Sequence, residues 1–322
     1  MKTGFGVWTL ALGLVACGAA NDADTVGSSS DSEALAAAAK VGWTRFGSAI
    51  SPRSDARMND LSAQFGGLHA DRAYDGGNGV APFLGSIQAM DLRHDVASAF
   101  SFKYQPSQVT AGAHDAELRQ FFQGIADNHP TFWTYWHEPD DDIYVKHAFT
   151  PAQYRAAWAH IKAIANQVKA GRPNLIIHAT LIIMEYSMTD KIAPSRPLLG
   201  PNGMYPGDDV IDVFGVDAYN GPADKGQIVD AATQFGRVID FAQAHHKPWA
   251  IGELGSCDVA GNPNGRATYL HNALSYFKSR QYTPAYVTYF NLDWPVCDYR
   301  LDGDAAATAV WRDAMVHGYA NF

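Results

Sequence analysis

Charge is scarce in this sequence. Charged residues make up 18% of the 322 positions, and the 24 Lys and Arg residues are outnumbered by 33 Asp and Glu. No Lys/Arg-rich run occurs, and a net charge of -9 repels a phosphate backbone, so we expect no nucleic-acid partner. Hydrophobic residues make up 47% of the chain, which excludes a mainly disordered protein because that much apolar surface can form a sizeable core.

Cysteine is also scarce, with 3 residues, and the first of them ends a segment typical of export. Lys2 supplies a positive start, and the apolar stretch 5–16 is too short to cross a bilayer as a stable anchor. The ending Leu14-Val15-Ala16-Cys17 resembles a bacterial lipoprotein signal, which implies lipidation of Cys17. An ordinary cleavage site beside a chance Cys is the alternative.

The two other cysteines, Cys257 and Cys297, form an even pair. Outside the cytosol such a pair can close a disulfide, and two free buried thiols are the alternative. Residues 18–39 are mostly small and polar, so they predict a flexible tether that follows a signal peptide over residues 1–17. We therefore expect an exported protein, either a cell-envelope lipoprotein or secreted, with membrane contact only through a lipid anchor.

Short apolar segments alternate with helical patterns from Lys40 onward. The candidate strands lack strict polar alternation, as expected for strands buried on both faces; they are residues 41–46, 69–74, 97–104, 132–138, 175–184, 210–219, 248–253 and 285–292. Helical patterns occupy residues 151–170, 227–245 and 265–280. The first of these helices begins with Thr150-Pro151, an N-cap followed by a proline at the first helical position.

Eight strands with intervening helices predict an α/β protein built as one (β/α)₈ TIM barrel over residues 40–322. An open doubly wound sheet is the structural alternative, but no Gly-rich phosphate loop follows the first strand. The sequence shows no internal repeat and no second domain. We expect a monomer that uses no cofactor.

Two of the predicted strands end in a glutamate. The run 132–138 ends in His137-Glu138, and Pro139 stops the strand there. The run 248–253 ends in Glu253, within Gly252-Glu253-Leu254-Gly255, and the two glycines predict close approach of the backbone to a bound ligand. Because chemistry in such barrels collects at the C-terminal ends of the strands, Glu138 and Glu253 are the candidate catalytic residues.

Two carboxyl groups on facing strand ends are what retaining glycoside hydrolysis requires. One must be neutral to protonate the leaving oxygen, and the other must be charged to attack the anomeric carbon, at a separation of roughly 5–5.5 Å. Repulsion between close carboxylates moves their pKa values apart, which provides one acid and one base. The sequence therefore predicts Glu138 as acid/base and Glu253 as nucleophile, although either residue alone fits a capping or ion-pairing role.

These motifs resemble those of the (β/α)₈ glycoside hydrolases of clan A, whose acid/base and nucleophile end strands four and seven. Most members carry Asn-Glu-Pro at strand four, whereas His137-Glu138-Pro139 of this chain resembles glycoside hydrolase family 26. That family contains β-mannanases, with some β-glucanases and xylanases. The resemblance covers the barrel and implies a retaining, endo-acting hydrolase of β-linked polysaccharide, with β-mannan as the first substrate and β-glucan or xylan next.

The resemblance also implies substrate-binding residues. His137 matches a sugar-contacting His, Tyr219 matches the strand-six Tyr that donates to the nucleophile, and Arg72 matches a strand-two Arg that serves the same end. Trp294 matches an aromatic floor under the reactive sugar. Trp136 shares strand parity with Glu138, so it either lines the cleft or fills the core.

Two positions depart from the pattern of the family. The Arg that usually lies four residues before the acid/base is Thr134 here, and the end of strand eight reads Asn291-Leu292-Asp293-Trp294 in place of an aromatic pair. Structural roles also stay open at this point. Tyr219 fits a core aromatic, Arg72 fits an ion pair with Asp71 or Asp75, and Trp294 fits ordinary loop packing.

An acidic run, Asp140-Asp141-Asp142, follows the predicted acid/base. It fits a solvated turn, a calcium site or a cleft wall that binds sugar hydroxyls. Cys257 and Cys297 lie just beyond strands seven and eight, which are neighbours in a barrel, so a disulfide between them would join two loops at the active-site face.

Other chemistries lack their signatures. A metal-dependent barrel hydrolase needs a His-x-His at the first strand and a serine hydrolase needs Gly-x-Ser-x-Gly, and neither occurs, so we expect no metal. The alternative from another class is a non-catalytic, surface-anchored glycan-binding protein on the same barrel. Two intact strand-end glutamates argue against it, because a binding module need not keep both.

Overall fold

Eight parallel strands close into a barrel in the computed structural model, which describes residues 44–75, 77, 79–221 and 226–318. The strands are β1 Arg45–Ala49, β2 Ala70–Tyr74, β3 Ala97–Phe102, β4 Thr131–Tyr135, β5 Ile177–Met184, β6 Val213–Asn220, β7 Trp249–Ser256 and β8 Tyr286–Tyr289. Because β1 pairs with both β2 and β8, the ring has no free edge. The predicted (β/α)₈ TIM barrel is confirmed. The predicted signal peptide (1–17), tether (18–39) and lipidated Cys17 lie outside the described residues.

Helices connect the strands and cover the outside of the barrel. They are α1 Asp55–Phe65, α2 Gln88–Arg93, α3 Pro106–Thr110, α4 Asp115–Gly124, α5 Pro139–Tyr144, α6 Pro151–Ala170, α7 Ala231–Ala244, α8 Gly265–Ser279 and α9 Ala305–His317. A π-helical segment, Phe83–Ile87, precedes α2, and a 3-10 segment, Glu185–Met188, follows β5. Among the helices of the described residues, none has the length and apolarity needed to cross a membrane.

Three apolar clusters occur in the described part of the fold, the smallest of them around Cys257 and Phe290. A small cluster draws residues from six different strands or their starts, so it lies inside the barrel; its members are Ala70, Ala97, Ala99, Phe132, Val213, Ala250, Ala285 and Tyr286. The much larger cluster packs the outer faces of the strands against the helices. Alternate residues of each strand therefore face different cores, which explains why the strands read as nearly continuous apolar runs.

Helix α6 shows how the sequence specifies these elements. Thr150 and Gln153 form a capping box, in which Gln153 N donates to Thr150 Oγ1 at 3.2 Å and Thr150 N donates to Gln153 Oε1 at 2.8 Å. Tyr154, Trp158 and Ile161 recur at helical spacing and are fully buried against the barrel. The observed bounds equal the predicted 151–170.

Several predicted strand bounds were wrong, among them those of β6, which begins at Val213, and β8, which ends at Tyr289. β1 begins at Arg45 and extends to Ala49, later than the predicted 41–46. β4 ends at Tyr135, so Glu138 lies three residues beyond the strand, because Trp136 and Glu138 adopt left-handed φ values of 52° and 50° that no strand permits. β7 continues to Ser256, so Glu253 lies inside the strand.

A short hairpin follows β8. Its strands are β9 Asp293–Trp294 and β10 Cys297–Asp298. The predicted disulfide is confirmed: Cys257, directly after β7, is bonded to Cys297 with 5.7 Å between the two Cα atoms. Arg266 of α8 reinforces this link, because its guanidinium donates to the carbonyl oxygens of Asp298 at 2.9 Å and Arg300 at 2.7 Å.

Barrel closure predicts a strict steric requirement at Gly47, which pairs with Ala70. A Cβ at this position would lie 1.8 Å from the Ala70 carbonyl oxygen, so Gly47→Ala must force the β1 and β2 backbones apart. We expect a loss of about 1–3 kcal/mol in the free energy of unfolding, measured by urea denaturation. Gly85→Ala is the control, because no atom lies within 4 Å of its added Cβ; equal stability of the two variants would contradict the prediction.

Candidate active site

An irregularity in β7 turns Glu253 into the barrel. Val216 pairs with Ile251, but the next residue of β6, Asp217, pairs with Glu253, so Gly252 is an extra residue in β7. Side chains alternate along a strand, and Ile251 and Leu254 both belong to the outer core. The extra residue therefore shifts the alternation by one and sends the Glu253 side chain inward.

Two phenols and a guanidinium surround the Glu253 carboxylate. Tyr219 of β6 donates to Oε2, and Tyr74 of β2 donates to Oε1 at 2.7 Å. Arg72 Nη2 lies 3.6 Å from Oε1, and Arg72 Nη1 donates to Ser101 Oγ at 2.5 Å. The two phenols thus donate hydrogen bonds to the carboxylate and Arg72 places a positive charge beside it, while Ser101 accepts a hydrogen bond from Arg72.

Tyr219 and Arg72, for which structural roles were also left open, both contact the Glu253 carboxyl group. Tyr219 donates a hydrogen bond to Glu253. Arg72 is 1% exposed and pairs with Glu253, whereas the neighbouring Asp71 is paired by Arg53.

Glu138 is held at the end of the barrel by its own backbone. It follows β4, precedes α5 as its N-cap residue, and has the left-handed φ of 50°. Glu138 N donates to Ile182 O of β5 at 2.9 Å, which ties this turn to the neighbouring strand. A non-glycine residue in this conformation is strained, so the surrounding contacts must hold it there, as is common at functional sites.

The two predicted catalytic carboxyls meet across the barrel. One oxygen each from Glu138, Asp217 and Glu253 lies within 4.8 Å of the others. Three carboxyls can also hold a divalent cation, but the phenols of Tyr74 and Tyr219 already donate to both Glu253 oxygens and Arg72 brings a permanent positive charge. The arrangement fits proton transfer better than metal binding.

The environment makes Glu138 an acid at neutral pH. Burial, followed by the nearby carboxyls of Glu253 and Asp140, raises the pKa of Glu138 to about 8, against the opposing effect of Lys103 and Arg72. Burial and the Glu253 charge also raise the pKa of the Tyr219 phenol well above its ordinary range, so this phenol stays protonated and donates. The site thus combines a neutral carboxylic acid with a second carboxyl group whose two oxygens each accept a hydrogen bond from a phenol.

His137 lies near the same charged groups. Its ring centroid lies 5.5 Å from that of Tyr74, and Nδ1 is buried without a hydrogen-bond partner. Burial, then the positive charges of Arg72 and Lys103, lower the pKa of the His137 imidazole well below its ordinary value. A neutral imidazole beside the acid can donate or accept a hydrogen bond, which suits contact with a hydroxyl.

The two tryptophans differ in environment. Trp136 is 8% exposed, packs on Phe149 with 4.6 Å between ring centroids, and donates from Nε1 to Asp142 Oδ2 at 2.8 Å. It therefore mainly supports the turn that carries Glu138. Trp294 lies on the β9–β10 hairpin and is 55% exposed; it contacts Phe290, which in turn packs against Tyr219.

Each residue of the acidic run has its own partner. Asp140 is fully buried and accepts from Met184 N at 3.1 Å, and burial raises its pKa to about 6. Asp141 pairs with Arg196 at 2.6 Å, and Asp142 accepts from Trp136 and Lys146. The run is therefore neither a solvated turn nor, among the described residues, a cluster arranged around one ion.

The sequence analysis missed Tyr74 and Asp217. Strand periodicity carried a signal for both, because Tyr74 lies two residues after Arg72 and Asp217 two residues before Tyr219, on the same face of their strands. The expectation for the glycines beside Glu253 also needs correction. The space beside Gly252 and Gly255 is occupied by the protein itself, since added Cβ atoms would lie 2.5 Å from Asp217 Oδ1 and 2.8 Å from the Tyr219 ring.

This chain is similar to known proteins in its three-dimensional structure. No protein-family model matches the sequence, and no curated protein matches it. A glycoside hydrolase family 26 endo-β-1,4-mannanase catalytic domain from Bacillus sp. JAMB-750 is 15% identical, with a TM-score of 0.59 over 88% of this chain and 89% of that one. A modular family 26 endo-β-1,4-mannanase from Cellulomonas fimi is 16% identical, with a TM-score of 0.60 over 92% and 75%.

A third structure of similar fold belongs to a different family. An endo-β-1,3-glucanase of glycoside hydrolase family 128 from Sorangium cellulosum is 16% identical, with a TM-score of 0.53 over 84% of this chain and 98% of that one. At these identities the comparison establishes the fold. The chain has a (β/α)₈ barrel of the kind found in family 26 glycoside hydrolases.

The environment of Glu138 predicts a pH-dependent stability. Because the folded state raises the pKa of Glu138 from 4.5 to about 8, its stabilising contribution is complete below pH 4.5 and is lost as pH rises through 8. Each pH unit in this window costs at most about 1.4 kcal/mol. Urea denaturation at pH 5 and pH 8 should show a smaller loss for Glu138→Gln than for the wild type.

Asp60→Asn is the control, since Asp60 is exposed on α1, outside the carboxyl cluster, and its variant should keep the wild-type pH dependence. If Glu138→Gln and the wild type lost the same free energy of unfolding between the two pH values, the neutral state assigned to Glu138 would be refuted.

Proposed function

We propose that this protein is a retaining glycoside hydrolase that cleaves β-linked polysaccharide, with Glu138 as acid/base and Glu253 as nucleophile. The observation that carries the proposal is the meeting of these two carboxyls, with oxygens within 4.8 Å, in opposite chemical environments. Roughly 5–5.5 Å between carboxyl groups suits double displacement, whereas inverting enzymes need a wider gap for a water molecule.

The first step forms a covalent intermediate. A Glu253 oxygen bonds to the anomeric carbon while the bond from that carbon to the bridging oxygen breaks, and Glu138 transfers its proton to the departing oxygen. Tyr74 and Tyr219 fix the direction of the attacking carboxylate through their hydrogen bonds. Arg72 holds its charge near Glu253 and disfavours protonation of the nucleophile.

The second step returns the enzyme to its starting state. Glu138, now a carboxylate, takes a proton from a water molecule as the water oxygen attacks the anomeric carbon, and the bond to Glu253 breaks. The product keeps the configuration of the substrate because two inversions occur. His137 lies beside Glu138 with an unpartnered Nδ1 and is the proposed contact for a sugar hydroxyl.

The order in which we propose to test substrates follows from the similarity in fold. The structures most similar in fold include β-1,4-mannanases, which makes β-mannan the first substrate to test, and a β-1,3-glucanase, which keeps β-glucan in the set; xylan completes it. Endo action is proposed because these neighbours act within the chain of their substrates. Export is proposed from the signal-like start of the sequence and from the Cys257–Cys297 disulfide.

The proposed chemistry predicts a selective loss of turnover. Glu253→Ala should lower kcat on the best substrate of a mannan, glucan and xylan panel by on the order of 10³-fold or more, because the attacking group is removed. Added azide should partly restore turnover of an activated aryl glycoside by replacing the carboxylate. Turnover should also fall above about pH 8, where Glu138 loses its proton. Reducing-sugar release and proton NMR of the fresh product measure rate and stereochemistry.

Circular dichroism controls for folding, and the Asp60→Asn variant controls for a general effect of losing a carboxylate. Near wild-type rates in both Glu138→Gln and Glu253→Gln, or inversion of configuration, would end the proposal. Binding of a glycan without turnover of any member of the panel would favour the non-catalytic glycan-binding protein instead.

Trp294 is the proposed stacking surface at the rim of the cleft. The hairpin that carries it is held by the disulfide and by Arg266, so its exposed ring has a defined position without a ligand. Trp294→Ala should raise KM on the polysaccharide about 3- to 10-fold, as expected for one lost sugar–aromatic contact. Val296→Ala is the control, because Val296 is 61% exposed on the same hairpin. Equal kinetics for the two variants would remove Trp294 from the binding surface.

A further inference from the structure

Asp217 is a buried acid to which the mechanism above gives no role. Its side chain is 0% exposed, and neither carboxyl oxygen has a hydrogen-bond partner. It lies on β6 in register with Glu253, and the missing side chain of Gly252 makes room for it, since a Cβ there would lie 2.5 Å from Asp217 Oδ1. The bulge that turns Glu253 inward thus also places a third carboxyl beside it.

The groups that face Asp217 come from five parts of the barrel. They are Arg72 and Tyr74 of β2, Glu138 after β4, Asp140 of α5, Glu253 of β7 and Tyr286 of β8. Arg72 is the one cation among these groups, and Glu253 is its ion-pair partner at 3.6 Å. The Tyr286 hydroxyl is also buried and unpartnered, and within the described part of the chain no group donates a hydrogen bond to Asp217.

The number of charges that this buried site can balance limits the protonation states of its three carboxyl groups. Three carboxyls with oxygens within 4.8 Å of one another share Arg72 as the guanidinium between them, and Lys103 acts on Glu138 alone. Ionisation of Asp217 as well would place a second negative charge beside the first, on oxygens that accept no hydrogen bond. Glu253 has the two phenols and Arg72, so it takes the one charge that can be balanced.

We propose that Asp217 is a positioning residue that stays protonated during turnover and keeps Glu253 as the single ionised carboxyl of the site. This inference rests on the proposed function. A neutral Asp217 fills the space behind the nucleophile and offers its hydroxyl hydrogen in that direction without adding negative charge. An ionised Asp217 would instead draw a proton onto Glu253, which would stop the attack on the anomeric carbon, or hold the proton of Glu138 too tightly to be transferred.

Carbon-13 NMR of aspartate carboxyls in the full chain tests the protonation state directly. At pH 7 the wild type should show a signal at the carboxylic-acid chemical shift that is absent from the Asp217→Asn spectrum. Asp140→Asn is the matched control, and its spectrum should retain that signal. A difference spectrum at pH 7 in which the signal lost from Asp217→Asn has the shift of a carboxylate would overturn the proposal.

Kinetics test the positioning role. Asp217→Ala should lower kcat about 100-fold with KM changed less than about 3-fold, and Asp217→Asn, which keeps the shape and the neutral charge, should restore at least about 10-fold of that loss. The alkaline limit of kcat/KM should lie within about 0.5 pH unit of wild type in Asp217→Asn, because no charge is removed near Glu138. A larger fall of this limit would show that Asp217 carries charge and would refute the proposal.

The two measurements separate the inference from the proposed function. The NMR experiment needs no substrate, so a protein that hydrolyses nothing still reports whether Asp217 holds a proton. If Asp217→Ala does not fold, the comparison of Asp217→Asn with wild type decides the charge state alone. Lack of turnover in the wild type would refute the proposed function and the kinetic role, while the NMR result would stand.

Discussion

Three carboxyl groups and one guanidinium share the buried mouth of the barrel, and their electrostatic balance decides what the site can do. Arg72 is the cation that pairs with Glu253 among the described residues, and the two phenols donate to the same carboxyl group. Burial and the negative charge of Glu253 raise the pKa of Glu138 and make it an acid. The difference between two chemically identical side chains is therefore created by their surroundings.

The backbone places these groups by local departures from regular structure. One extra residue in β7, Gly252, changes which face of the strand carries Glu253. On the opposite side, the left-handed conformations of Trp136 and Glu138 end β4 early and turn the Glu138 side chain toward the barrel axis. Both features cost stability compared with a regular strand, and the dense aromatic packing around Trp136 and the bond from Glu138 N to β5 hold the turn in place.

The loops after β7 and β8 are linked to each other. The disulfide joins them, and Arg266 binds the backbone of the hairpin at two carbonyl oxygens. Phe290 connects these loops to Tyr219, the phenol that donates to Glu253. This cross-linked hairpin next to Glu253 holds the exposed ring of Trp294 in a defined place, so the proposed stacking of a sugar on that ring would cost less entropy.

The sequence alone determined the barrel, the helix 151–170, the Cys257–Cys297 pair and the two glutamates, because each rests on local patterns such as apolar periodicity, capping residues and acids near strand ends. Only the tertiary structure decided that Glu253 faces inward, since strand parity without the bulge at Gly252 points the other way. Asp217 and Tyr74 likewise gained their importance from barrel closure, which brings β2, β4, β6 and β7 to one point. Contacts between distant strands, and the pKa values that follow from them, have no local signature in the chain.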